Sequence, residues 1–189
     1  MTDTNTGVFG GLETQPAGER PDLLAEPVAR AVADGKHEGA AEGPLVAQID
    51  PELADTAAFC AAYDIGLDAS ANCVVIAAKR GGETRFAACV VLATTRVDVN
   101  GVVRRHLGAR KARFADQADA VSATGMEYGG ITPLGLPDDW PILVDPAVTA
   151  APWVVIGSGL RRSKLVVAGA ALAGLPNAEV VEGLGRPVG

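Results

Sequence analysis

Two apolar runs rich in β-branched residues, 72–78 (NCVVIAA) and 85–93 (RFAACVVLA), are separated only by KRGGET, and this pairing constrains the fold more than any other feature. Two adjacent glycines between strand-like runs are a hairpin signal. Neither run alternates apolar with polar residues, so both strands are expected to be buried on two faces.

Shorter elements surround this hairpin. Residues 20–35 place Leu23, Leu24, Val28, Ala31 and Val32 at near-helical spacing, with Asp22 as N-cap, Pro27 in the first turn or at a kink, and Gly35 as the stop. A strand at 45–49 runs into a helix opened by Asp50-Pro51-Glu52, which carries Thr56, Phe59 and Tyr63 and ends near Gly66. Residues 98–107 read as a helix with Asp98 as N-cap, Val99, Val102, Val103 and Leu107 inward, Arg104 and Arg105 outward, and Gly108 at its end. A short helix at 117–123, strands at 142–145, 153–157 and 164–167, a helix at 169–175 and a strand at 178–182 complete the pattern. Hairpin-linked strands without regular βαβ crossovers predict an α+β fold: a mixed, mainly antiparallel sheet or partly closed barrel surrounded by helices. A Rossmann domain is disfavoured. Residues 1–20 are expected to form a flexible tail, 21–44 a helical extension and 45–189 the main domain.

With 189 residues, 48% of them hydrophobic, the chain can bury a single-domain core. No apolar run approaches the roughly 20 residues of a membrane span, and the N-terminus lacks a basic start and an apolar stretch, so a cytoplasmic location without membrane partners is expected. Cys60, Cys73 and Cys89 are odd in number without CxxC spacing, and His37 and His106 stand far apart, which supports neither a disulfide framework nor a metal site. The net charge of -7 argues against nonspecific nucleic-acid binding, yet residues 96–113 alone sum to +5. Arg96, Arg104, Arg105, Arg110, Lys111 and Arg113 are therefore either a phosphate-facing patch or a solvated helix face.

The run Thr124-Gly125, followed by Gly129-Gly130-Ile131-Thr132-Pro133-Leu134-Gly135, is a shaped loop. Adjacent glycines allow backbone N–H groups to approach a ligand, and the proline keeps the chain aimed. Such donors suit the oxyanion formed when water attacks an ester. The same residues also suit an ordinary tight connection between helix and strand.

This loop resembles the TG…GGxxPxG signature of the YbaK/prolyl-tRNA synthetase-associated domain family. Its neighbours match in order: Arg96-Val97-Asp98 opening a helix, Leu107-Gly108 closing it, Asp145 ending a strand, and Gly157-Ser158-Gly159 at a glycine-rich strand end. The resemblance spans roughly residues 45–184. It implies an aminoacyl-tRNA deacylase acting in trans, which hydrolyses the ester of a tRNA mischarged with a small amino acid such as alanine or cysteine. Water would be the nucleophile, no metal or organic cofactor is implied, and an aminoacyl-tRNA synthetase is a further expected partner. The implied catalytic loop is Gly129, Gly130, Ile131 and Thr132; the implied substrate-binding residues are Cys73, Thr124, Gly125, Pro133, Gly157, Ser158, Gly159 and Lys164. Arg104, Arg105, Arg110, Lys111, Arg161 and Arg162 are the expected tRNA-binding cations.

The pattern departs at two positions. Cys73 stands where the family has a lysine, and Lys164 stands near where it has an acid, so a cation from Lys164 or Arg161 is expected on the other wall of the pocket. Cys73 as a nucleophile is disfavoured, because neither histidine is placed by sequence to activate it. Loss of the family lysine also motivates an alternative, a catalytically silent binding module. The acidic total charge suggests a third, an esterase or amidase for a small non-tRNA substrate.

Overall fold

The computed structural model describes residues 8–36 and 43–188, so His37 lies outside the described residues. Backbone pairing begins earlier than composition suggests. β1 (Val8–Phe9) pairs with β2 (Leu12–Glu13), and β3 (Gln15–Pro16) pairs antiparallel with β4 (Leu45–Gln48). The expected flexible tail is thus an ordered part of the fold from Val8 onward. Long-range contacts explain the difference: Gly11 N–H donates to Tyr63 O at 2.6 Å, Phe9 packs edge-on against Trp153 at 4.8 Å, and Leu12 and Ala17 are buried.

The first long helix, α1 (Glu26–Ala33), starts later than expected. Asp22 is not its N-cap; it sits in a 3-10 turn, paired with Arg20 at 2.7 Å. Pro27 falls in the first helical turn, where its missing N–H costs no hydrogen bond. α2 (Thr56–Tyr63) stops at Asp64, whose left-handed backbone ends the helix two residues before Gly66.

The central hairpin is β5 (Ala71–Arg80) and β6 (Glu83–Leu92), in register from Ala71 opposite Leu92 to Arg80 opposite Glu83. Gly81 and Gly82 both take positive φ, +57° and +85°, the conformation a two-residue turn requires. After β7 (Thr95–Val97), Asp98 caps the next segment as expected, accepting from the amides of Gly101 and Val102 at 3.1 Å. That segment is a π-helical turn (Val99–Val103) running into α3 (Arg104–His106), not one regular helix. An unexpected strand follows: β8 (Lys111–Phe114) pairs antiparallel with β5. The remaining elements are α4 (Gln117–Thr124), β9 (Ile142–Val144), α5 (Pro146–Ala150), β10 (Val154–Gly157), β11 (Ser163–Val167), α6 (Gly169–Ala173), β12 (Ala178–Val180) and β13 (Gly185–Pro187).

One sheet has the order β12-β9-β6-β5-β8, parallel through β12, β9 and β6 and antiparallel from β6 to β8. A second, antiparallel throughout, has the order β10-β11-β4-β3. A parallel bridge between Ser70 and Val155 joins the two, and a core including Val75, Val90, Ile156 and Leu165 fills the space between them. The mixed-sheet α+β architecture is the one expected; the sheets form no closed barrel among the described residues. No helix among them is long and apolar enough to cross a membrane.

Asp98 also pairs with Arg186 of β13 at 2.6 Å. Burial alone would raise its carboxyl, but the Val102 and Gly101 amides and Arg186 outweigh that and hold it below the usual carboxylate range. Its contribution is therefore complete above the ordinary carboxylate pKa and fades as pH falls through the lowered value. Asp98→Ala should destabilise the protein by about 1–2 kcal/mol in urea denaturation at neutral pH, with the gap to wild type narrowing in acid.

Candidate functional site

A cavity of about 450 Å³ opens between the first half of β5, the start of α2, the β8–α4 junction and the glycine loop at 128–131. Cys73, Gly129, Ile131, Gly157 and Lys164, all marked by sequence, line it together. Thr56, Asn72, Phe114 and Tyr128 line it as well.

The loop is built by backbone contact. Thr124 finishes α4 by donating its hydroxyl to Ala120 O at 2.7 Å and accepting from Met126 N–H at 3.2 Å, and Gly125 takes the left-handed cap conformation. The chain then folds against residues 157–160: Gly159 N–H donates to Gly130 O at 2.7 Å, and Glu127 N–H to Gly159 O at 2.9 Å. A Cβ on Gly130 would lie 2.8 Å from the Leu160 backbone, and one on Gly157 would strike Gly130 O. These two glycines thus serve the approach of one backbone to another, and even Gly130→Ala would disturb structure as well as chemistry. The Gly130 amide is itself spent on Glu127 O at 2.9 Å. Gly129 and Ile131, both lining the cavity, keep N–H groups with no hydrogen-bond partner among the described residues.

Several expected site residues do other work. Thr132 is fully buried, does not line the cavity, and its hydroxyl has no hydrogen-bond partner among the described residues. Thr124 and Pro133 line a separate cavity of about 300 Å³ with Pro27, Asp34 and Lys36. Ser158 is buried, its hydroxyl bonded to Ser163 Oγ at 2.7 Å and donating to Leu160 O at 3.1 Å. Gly159 lies against Ala25 and Val28. Arg161 donates to Tyr128 O at 3.3 Å and Pro51 O at 3.2 Å and pairs with Asp55 at 3.4 Å, so it ties the loop to the start of α2. Arg162 donates to Asp22 O at 2.6 Å.

Lys164 is the cation of the cavity. It is only 8% exposed, donates to Ala54 O at 2.9 Å, and lies over the Phe59 ring at 5.1 Å. Burial pushes its ammonium down to about 8. Cys73, on the same cavity, is pushed up to about 12 by burial, which leaves a neutral thiol and no nucleophile at neutral pH. Cys60 and Cys89 belong to the core, and burial raises both. His106 stands beside Glu179 at 2.6 Å, outside this cavity. No three His, Cys, Asp or Glu side chains converge as a metal site among the described residues.

The basic stretch gathers elsewhere. Arg104, Arg110, Lys111 and Arg113 line a groove with Lys79, and Arg105 is exposed on α3. Sequence reading missed Lys79 here, and it missed Thr56, Asn72 and Phe114 at the cavity. The one available signal was Asn72, a polar residue opening an otherwise apolar strand and accepting from Thr56 Oγ1 at 2.7 Å.

The family model of the aminoacyl-tRNA editing domain matches residues 50–175. The chain belongs to the aminoacyl-tRNA editing domain family. This editing domain is also similar to the crystal structure of hypothetical protein APE2540 (TM-score 0.72, 17% identity, 85% of this chain and 100% of that one). A second similar structure is that of "a putative trans-editing enzyme for prolyl tRNA synthetase" (TM-score 0.68, 19% identity, 84% and 97%). At these identities the structures establish a shared fold. The matched segment of the editing domain contains every residue named above as lining the 450 Å³ cavity.

Arg161→Ala should loosen the loop of the editing domain. Loss of its charge-assisted bonds to Tyr128 O and Pro51 O is expected to destabilise the protein by about 1–3 kcal/mol. Hydrogen exchange should show faster exchange at the Gly130 and Gly159 amides with little change in the β5–β6 hairpin.

Proposed function

We propose that this editing domain acts in trans as a deacylase, hydrolysing the ester that joins a small amino acid, such as alanine or cysteine, to the end of a mischarged tRNA. The observation that carries this reading is one cavity in which two backbone N–H groups, on Gly129 and Ile131, have no partner among the described residues and a buried lysine supplies positive charge. Water attacks the ester carbonyl, the carbon–oxygen bond to the ribose breaks, and the released ribose oxygen takes a proton. The free amides of Gly129 and Ile131 stabilise the oxyanion in between; in other hydrolases one such donor contributes about 3–4 kcal/mol.

Lys164 carries the charge that Cys73 does not. Its ammonium, already bonded to Ala54 O, holds an oxygen of the ester or of the terminal nucleotide. Small apolar neighbours, Ala54, Ala71 and Ala120, limit the acyl group to a small one. The protein works in the cytoplasm on tRNA already released by a synthetase, and Arg104, Arg105, Arg110 and Lys111 attract the tRNA phosphates. Arg161 and Arg162, occupied by backbone carbonyls, position the loop.

A panel of mischarged tRNAs, beginning with alanyl- and cysteinyl-tRNA for proline, tests the reaction. Wild type and Cys73→Ala should deacylate alike, whereas Lys164→Met should lose about 10- to 100-fold in kcat/KM, the scale of one charge-assisted hydrogen bond. Lowering of the Lys164 ammonium to about 8 sets the pH dependence: the charged form prevails below that value, so wild-type activity should fall as pH rises through it. A Lys164→Arg variant that remains active should lack that alkaline loss. If no ester is cleaved while aminoacyl-tRNA still binds, the protein is a binding module, the reading that Cys73 at the family's lysine position favours.

A further inference from the structure

β6 runs for ten residues, from Glu83 to Leu92, yet its outer neighbour β9 pairs only with Ala88, Cys89 and Val90. Ala88 N–H donates to Pro141 O at 2.9 Å and Val90 O accepts from Asp145 N–H at 3.0 Å, so the backbone N–H and C=O of even-numbered β6 residues point toward β9. At Thr84 and Phe86 the same groups therefore point outward, where no strand lies among the described residues. They open on a cavity of about 730 Å³ that Thr84, Arg85, Phe86 and Trp140 line with Arg80 and His106. An unpaired stretch of sheet edge inside a cavity accepts a strand from another chain.

Side chains around the edge define the strand it takes. Residues abreast on neighbouring strands share a sheet face, and successive residues alternate between faces. Register puts Phe86 on the face of Ala77, and Arg85 on the face of Ala78 and Arg80. Phe86 packs on Trp140 with ring centroids 5.3 Å apart, so the first face is apolar. Trp140 is only 6% exposed, and its indole N–H has no hydrogen-bond partner among the described residues. The buried side-chain atom left unpartnered there is Thr132 Oγ1, so the indole donor is not sealed in and remains accessible at the cavity wall. On the second face Arg80 has no ion-pair partner among the described residues, and Arg85 pairs with Glu83 at 3.2 Å in a contact too exposed to hold it. His106 is taken by Glu179 at 2.6 Å, which leaves Asp139, exposed next to Trp140 in sequence, as the other acid of the wall. Arginines on one face and aromatic rings on the other suit a strand that alternates acidic with apolar residues. A second copy of this chain does not fit, since pairing two β6 edges would set the arginines of one copy beside those of the other.

We infer that this cleft docks an extended acidic segment of a partner protein, which adds to β6 as a strand. Its backbone pairs with Thr84 and Phe86, its acidic side chains meet Arg80 and Arg85, and its apolar side chains pack on Phe86 and Trp140. The cleft shares no lining residue with the 450 Å³ cavity, so the inference stands apart from the editing reading. A fluorescein-labelled peptide with blocked ends, Val-Glu-Val-Glu-Val, is titrated with the full chain by fluorescence anisotropy. Two controls run beside it: Val-Lys-Val-Lys-Val, and the acidic peptide N-methylated along its backbone. The acidic peptide should bind saturably. Arg80→Ala with Arg85→Ala should weaken it by roughly 10- to 100-fold, the scale of one charge-assisted hydrogen bond, and N-methylation should weaken it by at least about 10-fold. Bound peptide should slow hydrogen exchange at the Thr84 and Phe86 amides, which association by charge alone would leave unchanged. Equal binding of the lysine peptide, full affinity in the N-methylated peptide or the double variant, unprotected Thr84 and Phe86 amides, or no binding of the acidic peptide would overturn the docking site.

Discussion

The site depends on a contact between two stretches of backbone. Gly159 N–H reaches Gly130 O at 2.7 Å only because neither Gly130 nor Gly157 carries a side chain to hold the two segments apart. A methyl group at either position would collide with main chain, which unlike a flexible side chain cannot turn aside. With this contact go the engagement of the Gly130 amide, the Gly129 and Ile131 amides left without a partner among the described residues, and the path of Arg161 across to Pro51 O. Orientation of the candidate oxyanion donors is thus a by-product of packing between loops.

A second constraint is the buried lysine. An ammonium taken out of water is costly unless its hydrogens find acceptors. Here Ala54 O and the face of Phe59 supply part of that compensation, and the lowered pKa records what remains. A charge kept at such a cost, on a cavity wall, is a reason to assign it a function. Cys73, opposite in character, contributes volume and a neutral thiol.

Charge is organised at two distances. The whole chain carries -7, which opposes indiscriminate binding to nucleic acid, while a single groove beside β8 concentrates positive side chains. Cys73 and Lys79 lie six residues apart on one face of β5, about 20 Å, and the groove and the cavity share no lining residue.

Much of the fold was readable from sequence because its signals are local. The KRGGET turn, the Asp98 cap and the two β-branched runs each depend on residues a few positions apart, and each appears where expected. What sequence could not provide is whatever a distant partner decides. KARF, with three of its four residues exposed, has no strand periodicity; it becomes β8 because the open edge of β5 offers hydrogen bonds. Residues 9–16 are ordered for the same reason, by Tyr63, Trp153 and β4. The sequence by itself determined the central hairpin, the Asp98 cap and the family to which the chain belongs. Only the tertiary structure decided that Gly130 and Gly157 face each other, that Arg161 and Arg162 are occupied while Lys79 has no ion-pair partner among the described residues, and that Lys164 shares a cavity with Cys73. Chain chemistry reports which groups are present, whereas occupancy of a hydrogen-bonding group is set by neighbours that sequence distance does not reveal.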